Sequence, residues 1–335
     1  MPAPLVSVII PTYNYTNYIL EAINSVLEQT YPQDKIEIIV VDDGSTDRTH
    51  DTLKKLIDQN TIKYFYQENK GKANATFNAI KKCTGKYIFN LDADDYFFKD
   101  KIAAYVKVFE NDDEIVHVGT AAKVLYQNKN LLVTEKLPKD ILGKPLHGKW
   151  LLHRFYSSNM FFGGGTTYAA KASALKTIVI PDAVDMYIDE FLLLAVLPLG
   201  KSYFLDEPLS VWRMHKDNFS VYAALKENQI KKDERLLRSS AAVLKYLIEN
   251  NFDDYLVKIY QLQDATRQIA FKEISNSKSV NDIYNYAIKV FFNLKPGLKL
   301  ISKYHVINRL VPLTVLKLIK KTQHHNSVSN IKATV

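Results

Sequence analysis

The segment LVSVIIPTYNYTNYILEAINSVLEQTYPQDKIEIIVVDDGS, Leu5 to Ser45, decides the fold class. Its first seven residues are an apolar, β-branched run that reads as a strand stopped by Pro11. YILEAINSVLEQT then places apolar groups at helical spacing, and IEIIVVDDGS is a second apolar run that empties into a turn at Gly44. The same alternation continues outward. RTHDTLKKLIDQ predicts a helix, IKYFYQE a third strand, KANATFNAIKKCTG a helix closed by Gly85, and KYIFNLDADD a fourth strand. Strands alternating with helices predict an α/β protein with a mostly parallel, Rossmann-like sheet flanked by helices. In such sheets ligands bind at the carboxyl ends of the strands, where Pro11–Asn14, Asp42–Ser45 and Asp92–Asp95 all fall.

That rim is rich in oxygen. A strand-end trio of carboxylates, Asp92, Asp94 and Asp95, has the hard-ligand chemistry to hold Mg²⁺ or Mn²⁺ while leaving positions for phosphate oxygens. A plainer reading makes the trio a solvated turn or the cap of a helix over KDKIAAYVKVF. In VVDDGSTDRT, capping accounts for Ser45, Thr46 and Asp47, but not for a buried strand ending in both Asp42 and Asp43. A carboxylate that accepts hydrogen bonds from a nucleobase or ribose would account for the pair.

The 335 residues carry ordinary globular composition and can bury one large core or two smaller ones. The single cysteine, Cys83, excludes an internal disulfide framework and a cysteine-rich zinc site. MPAPLVSVIIPTYN lacks the basic and apolar regions of a signal peptide, so a cytoplasmic protein is expected. The net charge of +8 is uneven: no acidic residue follows Asp282, and the last 53 residues carry +9. This basic tail is too interrupted to span a bilayer. It suits either peripheral contact with the inner face of a membrane or a solvated basic face packed on the rest of the chain. It also lacks the aromatic interleaving of a nucleic-acid binder, and no nucleic-acid partner is expected. From residue 226 onward the pattern is helical, as in LLRSSAAVLKYLIENN, which predicts a catalytic domain over 1–225 and a helical region with the basic tail over 226–335.

VSVIIPTYNYTNYILEAINSVLEQTY, VVDDGSTD, NKGKANATFNAIKKCTGKYIFN and LDADD stand in an order and spacing that resemble glycosyltransferase family 2, inverting enzymes of the GT-A fold. The resemblance spans about residues 5–220. It implies that Pro11, Thr12, Tyr13 and Asn14, with Asp42 or Asp43, hold the nucleoside of a sugar-nucleotide donor. It implies further that Asp94 is the first metal ligand, with Asp92 and Asp95 sharing metal and ribose contacts. The family's downstream acidic motif resembles YIDEFLLLAVLPLGKSYFL, which makes Asp189 the general base and Glu190 the fallback; a helix dipole alone would also favour acids there. VWRMHKDNFS resembles the family's Arg-x-His element, which sends Arg213 and His215 toward the diphosphate or metal.

Two departures are visible. ATFNA, Ala75 to Ala79, has neither the Arg nor the Gly common in the family, which leaves Lys70 or Lys72, beside Gly71, to meet phosphate. Gly163–Gly165 form a triple glycine that reads either as a flexible wall near the acceptor or as a tight turn. The expected reaction moves a sugar, hexosyl or N-acetylhexosaminyl, from a UDP-sugar to a hydroxyl of a glycan or lipid-linked acceptor in cell-surface polysaccharide or glycolipid synthesis. The alternatives are a nucleotidyltransferase, whose Gly- and Arg/Lys-rich amino-terminal signature is missing, and a non-catalytic module that binds sugar nucleotides or glycans.

Overall fold

The structure is a computed structural model that describes residues 2–158, 162–215, 218 and 226–292. The described residues fall into two compact units, the first built from residues up to 155 and from 162 to 218, the second from 156 to 158 and 226 to 292. The basic tail from residue 293 onward lies outside the described residues.

In chain order the first unit contains β1 (Val6–Thr12), α1 (Ile19–Leu27), β2 (Ile36–Asp42), α2 (Thr49–Asp58), β3 (Lys63–Tyr66), α3 (Lys72–Lys82), β4 (Tyr87–Asn90) and β5 (Tyr96–Phe97). There follow α4 (Lys101–Asn111), β6 (Ile115–Thr120), β7 (Lys123–Tyr126), β8 (Leu131–Thr134), β9 (Pro145–His147), α5 (Gly148–Ser158, whose last three residues belong to the second unit), β10 (Ala169–Lys171), α6 (Ala172–Leu175), α7 (Ile188–Val196), β11 (Lys201–Leu205) and β12 (Ser210–Met214). The main sheet has the order β3-β2-β1-β4-β10-β6-β11-β9. Strands β3, β2, β1 and β4 are mutually parallel, as the alternation predicted, whereas β10 inserts antiparallel between β4 and β6. A second sheet has the order β5-β12-β7-β8.

Packing follows from the apolar faces. Val6, Val8 and Ile10 of β1 join Ile19, Ala22, Ile23 and Val26 of α1 and Tyr105 and Phe109 of α4 in one buried cluster. The rings of Tyr87 and Phe109 stack with their centroids 4.4 Å apart.

Three local expectations are corrected. Pro11 does not stop β1, which pairs on through Thr12 with Asp42. Pairing with β4 already ends at Ile9, and Thr12 turns its carbonyl to Asp43, so the missing proline donor leaves no ladder bond open. Gly85 does not close α3, which ends at Lys82. Its task is close approach: a Cβ there would stand 2.6 Å from the backbone nitrogen of Ser7. The acids of LDADD are not a helix cap either, because β5 intervenes before α4.

The second unit contains α8 (Lys226–Glu249), α9 (Asp254–Ile274) and α10 (Val280–Phe292). Asp253 caps α9 by accepting from the backbone N–H of Leu256 at 3.1 Å. No described helix is long and apolar enough to cross a membrane.

Candidate active site

The carboxyl ends of β1, β2 and β4 carry the polar residues singled out above, and hydrogen bonding divides them into braces and open groups. Asn14 adopts a left-handed conformation (φ 59°) and its Oδ1 accepts from the N–H groups of Thr46 (2.8 Å) and Asp47 (3.2 Å). Its own N–H donates to Ser45 Oγ at 2.9 Å, so Asn14 and Ser45 clamp the β1 and β2 ends together, and Ser45 is not a helix cap.

Both strand-end acids of β2 are buried and bonded. Asp43 accepts from Gln67 Nε2 (2.7 Å), Lys70 N (2.9 Å) and Gly71 N (2.7 Å), which pins the loop before α3. Asp42 accepts from Ser45 N (2.7 Å) and the Tyr64 hydroxyl (2.6 Å). A carboxylate offers about four lone-pair positions. Asp42 therefore keeps more capacity for a ligand than Asp43. Thr12 Oγ1 is buried and has no hydrogen-bond partner among the described residues, while Tyr13 is exposed.

The acidic trio separates in the same way. Asp95 is 1% exposed and spends both oxygens, one on the N–H of Arg213 (2.9 Å) and one on the Thr166 hydroxyl. Burial raises its pKa well above the carboxylate range, and the Asp94 and Asp92 charges add to the rise. Asp94 Oδ2 meets His215 Nε2 (3.0 Å) and Asn218 Nδ2 (2.9 Å), while its Oδ1 carries no hydrogen bond among the described residues. Asp92 faces the crevice with its Oδ2 2.8 Å from Lys72 Nζ.

Asp189 enters from α7. Its Oδ2 lies 3.6 Å from the same Lys72 Nζ, and its side chain is 33% exposed. Burial raises the Asp189 pKa and Asp92 raises it further, while the Lys72 ammonium opposes both. Burial disfavours the charge on Lys72 in turn, but Asp189 and Asp92 outweigh it and raise the pKa of the ammonium. Glu190 follows on the helix, half-buried and rotated by about 100° from Asp189.

Several participants were not singled out from sequence. Tyr15 packs edge-on to His215, and burial, then Asp94 and Asp92, raise its hydroxyl pKa. The Tyr18 ring lies 4.5 Å from His215. Arg213 is spent on the Asp94 carbonyl (2.8 Å) and on Glu21 (2.6 Å) beneath the Tyr18 and Tyr96 rings, so its guanidinium organises the site before any ligand arrives. The spacing of Tyr15 and Tyr18 within NYTNY, one helical turn, was the available signal.

The triple glycine is a tight turn rather than a loose wall. Gly163 and Gly165 have φ of 80° and 52°, and a Cβ on Gly164 would stand 3.1 Å from that of Asp189. His117 Nε2 reaches the Gly163 carbonyl at 3.1 Å and its Nδ1 the Ser202 hydroxyl at 2.7 Å. A carbonyl only accepts, so Nε2 bears the proton and Nδ1 accepts from Ser202. Burial pushes the His117 pKa down to about 4. Lys101, wholly buried, donates to the Thr166 carbonyl at 2.8 Å from the other side, and burial drives its pKa well below the lysine range.

Among the described residues no three metal-ligating groups converge. The donors fit a hard cation nonetheless. Mg²⁺ takes one or two carboxylates and completes its shell with water and substrate phosphates. Of the acidic trio, Asp94 has a free Oδ1 and Asp92, bonded to Asn90 and Lys72 at the crevice, has spare lone pairs.

The strand-end acid Asp92 of a mostly parallel sheet and the acid Asp189 of a following helix meet at Lys72. The profile of Glycosyl transferase family 2 matches residues 7–172. An uncharacterized glycosyltransferase of Nostoc sp. is 30% identical over 259 residues, which are 76% of each chain. The putative teichuronic acid biosynthesis glycosyltransferase TuaG of Bacillus subtilis is 44% identical over 101 residues, 30% of this chain and 39% of TuaG. Some relatives are far longer, and the match covers only 20% of an uncharacterized glycosyltransferase of Rickettsia felis. Among solved structures, S. aureus TarS 1–349 in complex with UDP-GlcNAc superposes with a TM-score of 0.57 at 17% identity, covering 95% of this chain and 92% of that one. Mannosyltransferase PcManGT from Pyrobaculum calidifontis, in complex with GDP-Man and Mn2+, gives 0.51 at 22% identity, covering 95% and 88%. The chain belongs to glycosyltransferase family 2, and its fold is that of the GT-A enzymes.

Proposed function

We propose that this chain is an inverting, cation-dependent glycosyltransferase that moves a hexosyl or N-acetylhexosaminyl group from a nucleoside-diphosphate sugar, UDP-sugar favoured, to a hydroxyl acceptor in surface-polysaccharide synthesis. The observation that carries the reading is the convergence of Asp92, from the end of β4, and Asp189, from α7, on one ammonium, at 2.8 and 3.6 Å from Lys72 Nζ. Two carboxylates from distant parts of the chain, held on one crevice, supply the separate polar centres that donor binding and acceptor activation need.

Asp189 acts as general base on the acceptor hydroxyl. Burial and Asp92 raise the Asp189 pKa, which makes its carboxylate a stronger proton acceptor, and Lys72 offsets part of that rise. Attack from the face opposite the leaving diphosphate inverts the anomeric centre in one displacement, with the proton passing to Asp189 Oδ2. Asp42 and Thr12 are assigned to the nucleoside, beside the brace made by Asn14. Asp94 and Asp92 would hold the divalent cation, which when bound neutralises charge on the diphosphate. His215 and Asn218 fix the Asp94 carboxylate so that its Oδ1 points one way. The similarity to TuaG, a putative teichuronic acid biosynthesis glycosyltransferase, supports a polysaccharide product, and the UDP-GlcNAc bound to TarS supports a uridine donor.

The test is a nucleotide-sugar screen by thermal shift with Mn²⁺, followed by donor hydrolysis with Asp189→Asn. The expected result is stabilisation by one donor class and a loss of turnover of about 10²–10⁴-fold in the variant with donor binding retained. Stabilisation without any nucleotide release by the native chain would leave only a binding module.

A further inference from the structure

The glycine turn, residues 163–167, is held from two directions. Within it, the N–H and the hydroxyl of Thr167 both donate to the Gly164 carbonyl, at 3.1 and 2.6 Å. From α4, Lys101 and Tyr105, one helical turn apart and both wholly buried, donate to the carbonyls of Thr166 and Thr167, each at 2.8 Å. A turn fastened in this way has little freedom to shift. It also touches both carboxylates of the crevice. A Cβ on Gly165 would stand 3.6 Å from Asp189 Oδ2 and 3.7 Å from Asp92 Oδ2, and one on Gly164 would stand 3.1 Å from Asp189 Cβ.

Thr166 extends this fastening to the acidic segment. Its hydroxyl, in a side chain only 4% exposed, donates to the Asp95 carboxylate and accepts from the backbone N–H of Asp92 at 3.2 Å. Asp95 N–H in turn donates to the Asp92 carbonyl at 3.0 Å, so one hydroxyl grips both ends of a four-residue turn. A hydroxyl has one proton to give and two lone pairs to accept with, and here both functions are engaged. Valine would fill the same space and make neither bond. Sugar transfer as proposed has no step for this hydroxyl.

We infer that Thr166 is a positioning residue, which sets the separation of Asp92 from Asp189 by tying the Asp92–Asp95 turn to the glycine turn packed on Asp189. Its effect on rate rests on the transferase reading, whereas the hydrogen-bonded tie does not. A misplacement of about 1 Å between reacting groups costs about 10²-fold in rate, so a tie between the cation side and the base side acts on kcat rather than on donor affinity.

Thr166→Val, Thr166→Ser and Thr167→Val test it against the native chain in two assays. One is hydrolysis of UDP-GlcNAc, UDP-glucose and GDP-mannose with Mn²⁺, where water takes the acceptor's place; the other is amide hydrogen exchange over the Asp92–Asp95 turn. Thr166→Val is expected to lower kcat about 10²-fold with KM little changed, and to speed exchange in that turn but not in α8 or α9. Thr166→Ser, which keeps the hydroxyl, should retain most of the native kcat. Thr167→Val removes a hydroxyl that bonds only inside its own turn among the described residues, and should cost far less. Native kcat in Thr166→Val, an equal loss in the serine variant, or an equal loss in Thr167→Val overturns the positioning role. Should the valine variant not fold, Thr166→Ala takes its place. If the native chain hydrolyses none of the three donors, the transferase reading is what suffers, and exchange alone decides the tie: an Asp92 amide that exchanges as fast as an exposed loop in the native chain overturns it.

Discussion

Acidification should test the clamp on the triple glycine through His117. The imidazole is wholly buried between the Gly163 carbonyl and the Ser202 hydroxyl, and its pKa falls to about 4 in the folded chain, against about 6.5 unfolded. For a base whose folded pKa is depressed, the unfolded chain binds the extra proton. The stabilisation is therefore complete above the unfolded value and is lost as pH falls toward the folded one. Between about pH 7.5 and pH 5 this single group removes about 2 kcal/mol, and about 3 kcal/mol once both states are protonated. Urea unfolding across that range, for the native chain and for His117→Asn, isolates the effect from other titrating groups. Asn lowers the absolute stability by leaving a cavity, so the readout is the pH slope within each protein. The native slope should exceed that of the variant by about 2 kcal/mol over the interval. Equal slopes would refute a buried neutral imidazole. Should the variant not fold, proton NMR of the eight histidines serves instead: one ring must stay neutral at pH values where the exposed ones have titrated.

Glu37→Gln should destabilise the sheet base. Burial works against the Glu37 charge, but Lys63, Ser7 and Thr84 hold its pKa down to about 2, so the carboxylate contributes stability above about pH 4.5 that is lost as pH falls toward 2. Denaturant unfolding at neutral pH should report a loss of about 3 kcal/mol, and a change below about 0.5 kcal/mol would contradict the network. Gly85→Ala places a Cβ 2.6 Å from the Ser7 nitrogen, so soluble yield and melting temperature should both fall; an unchanged melting temperature would show that β1 can give way. Chelation with EDTA should abolish donor hydrolysis and Mn²⁺ should restore it, whereas hydrolysis that persists after exhaustive chelation removes the cation from the proposed function.

The amino-acid sequence by itself determined the alternation of elements, the placement of polar residues at strand ends and the family motifs, because helix and strand periodicity are local properties that survive without tertiary context. Arrangement across the chain followed a different logic. Asp42, Asp43, Asp92, Asp94 and Asp95 look equivalent as letters, yet their partners come from 2 to more than 100 residues away and decide which lone pairs remain. Asp43 and Asp95 became braces in this way, while Asp94 kept a free Oδ1 and Asp92, bonded to Asn90 and Lys72, kept spare lone pairs at the crevice. No residue pattern announced that Lys72, on the first turn of α3, would stand between Asp92 and Asp189, or that His117 on a central strand would hold a glycine turn 46 residues downstream. A carboxylate's chemistry depends on burial and on the donors aimed at it, and only the folded chain sets those distances.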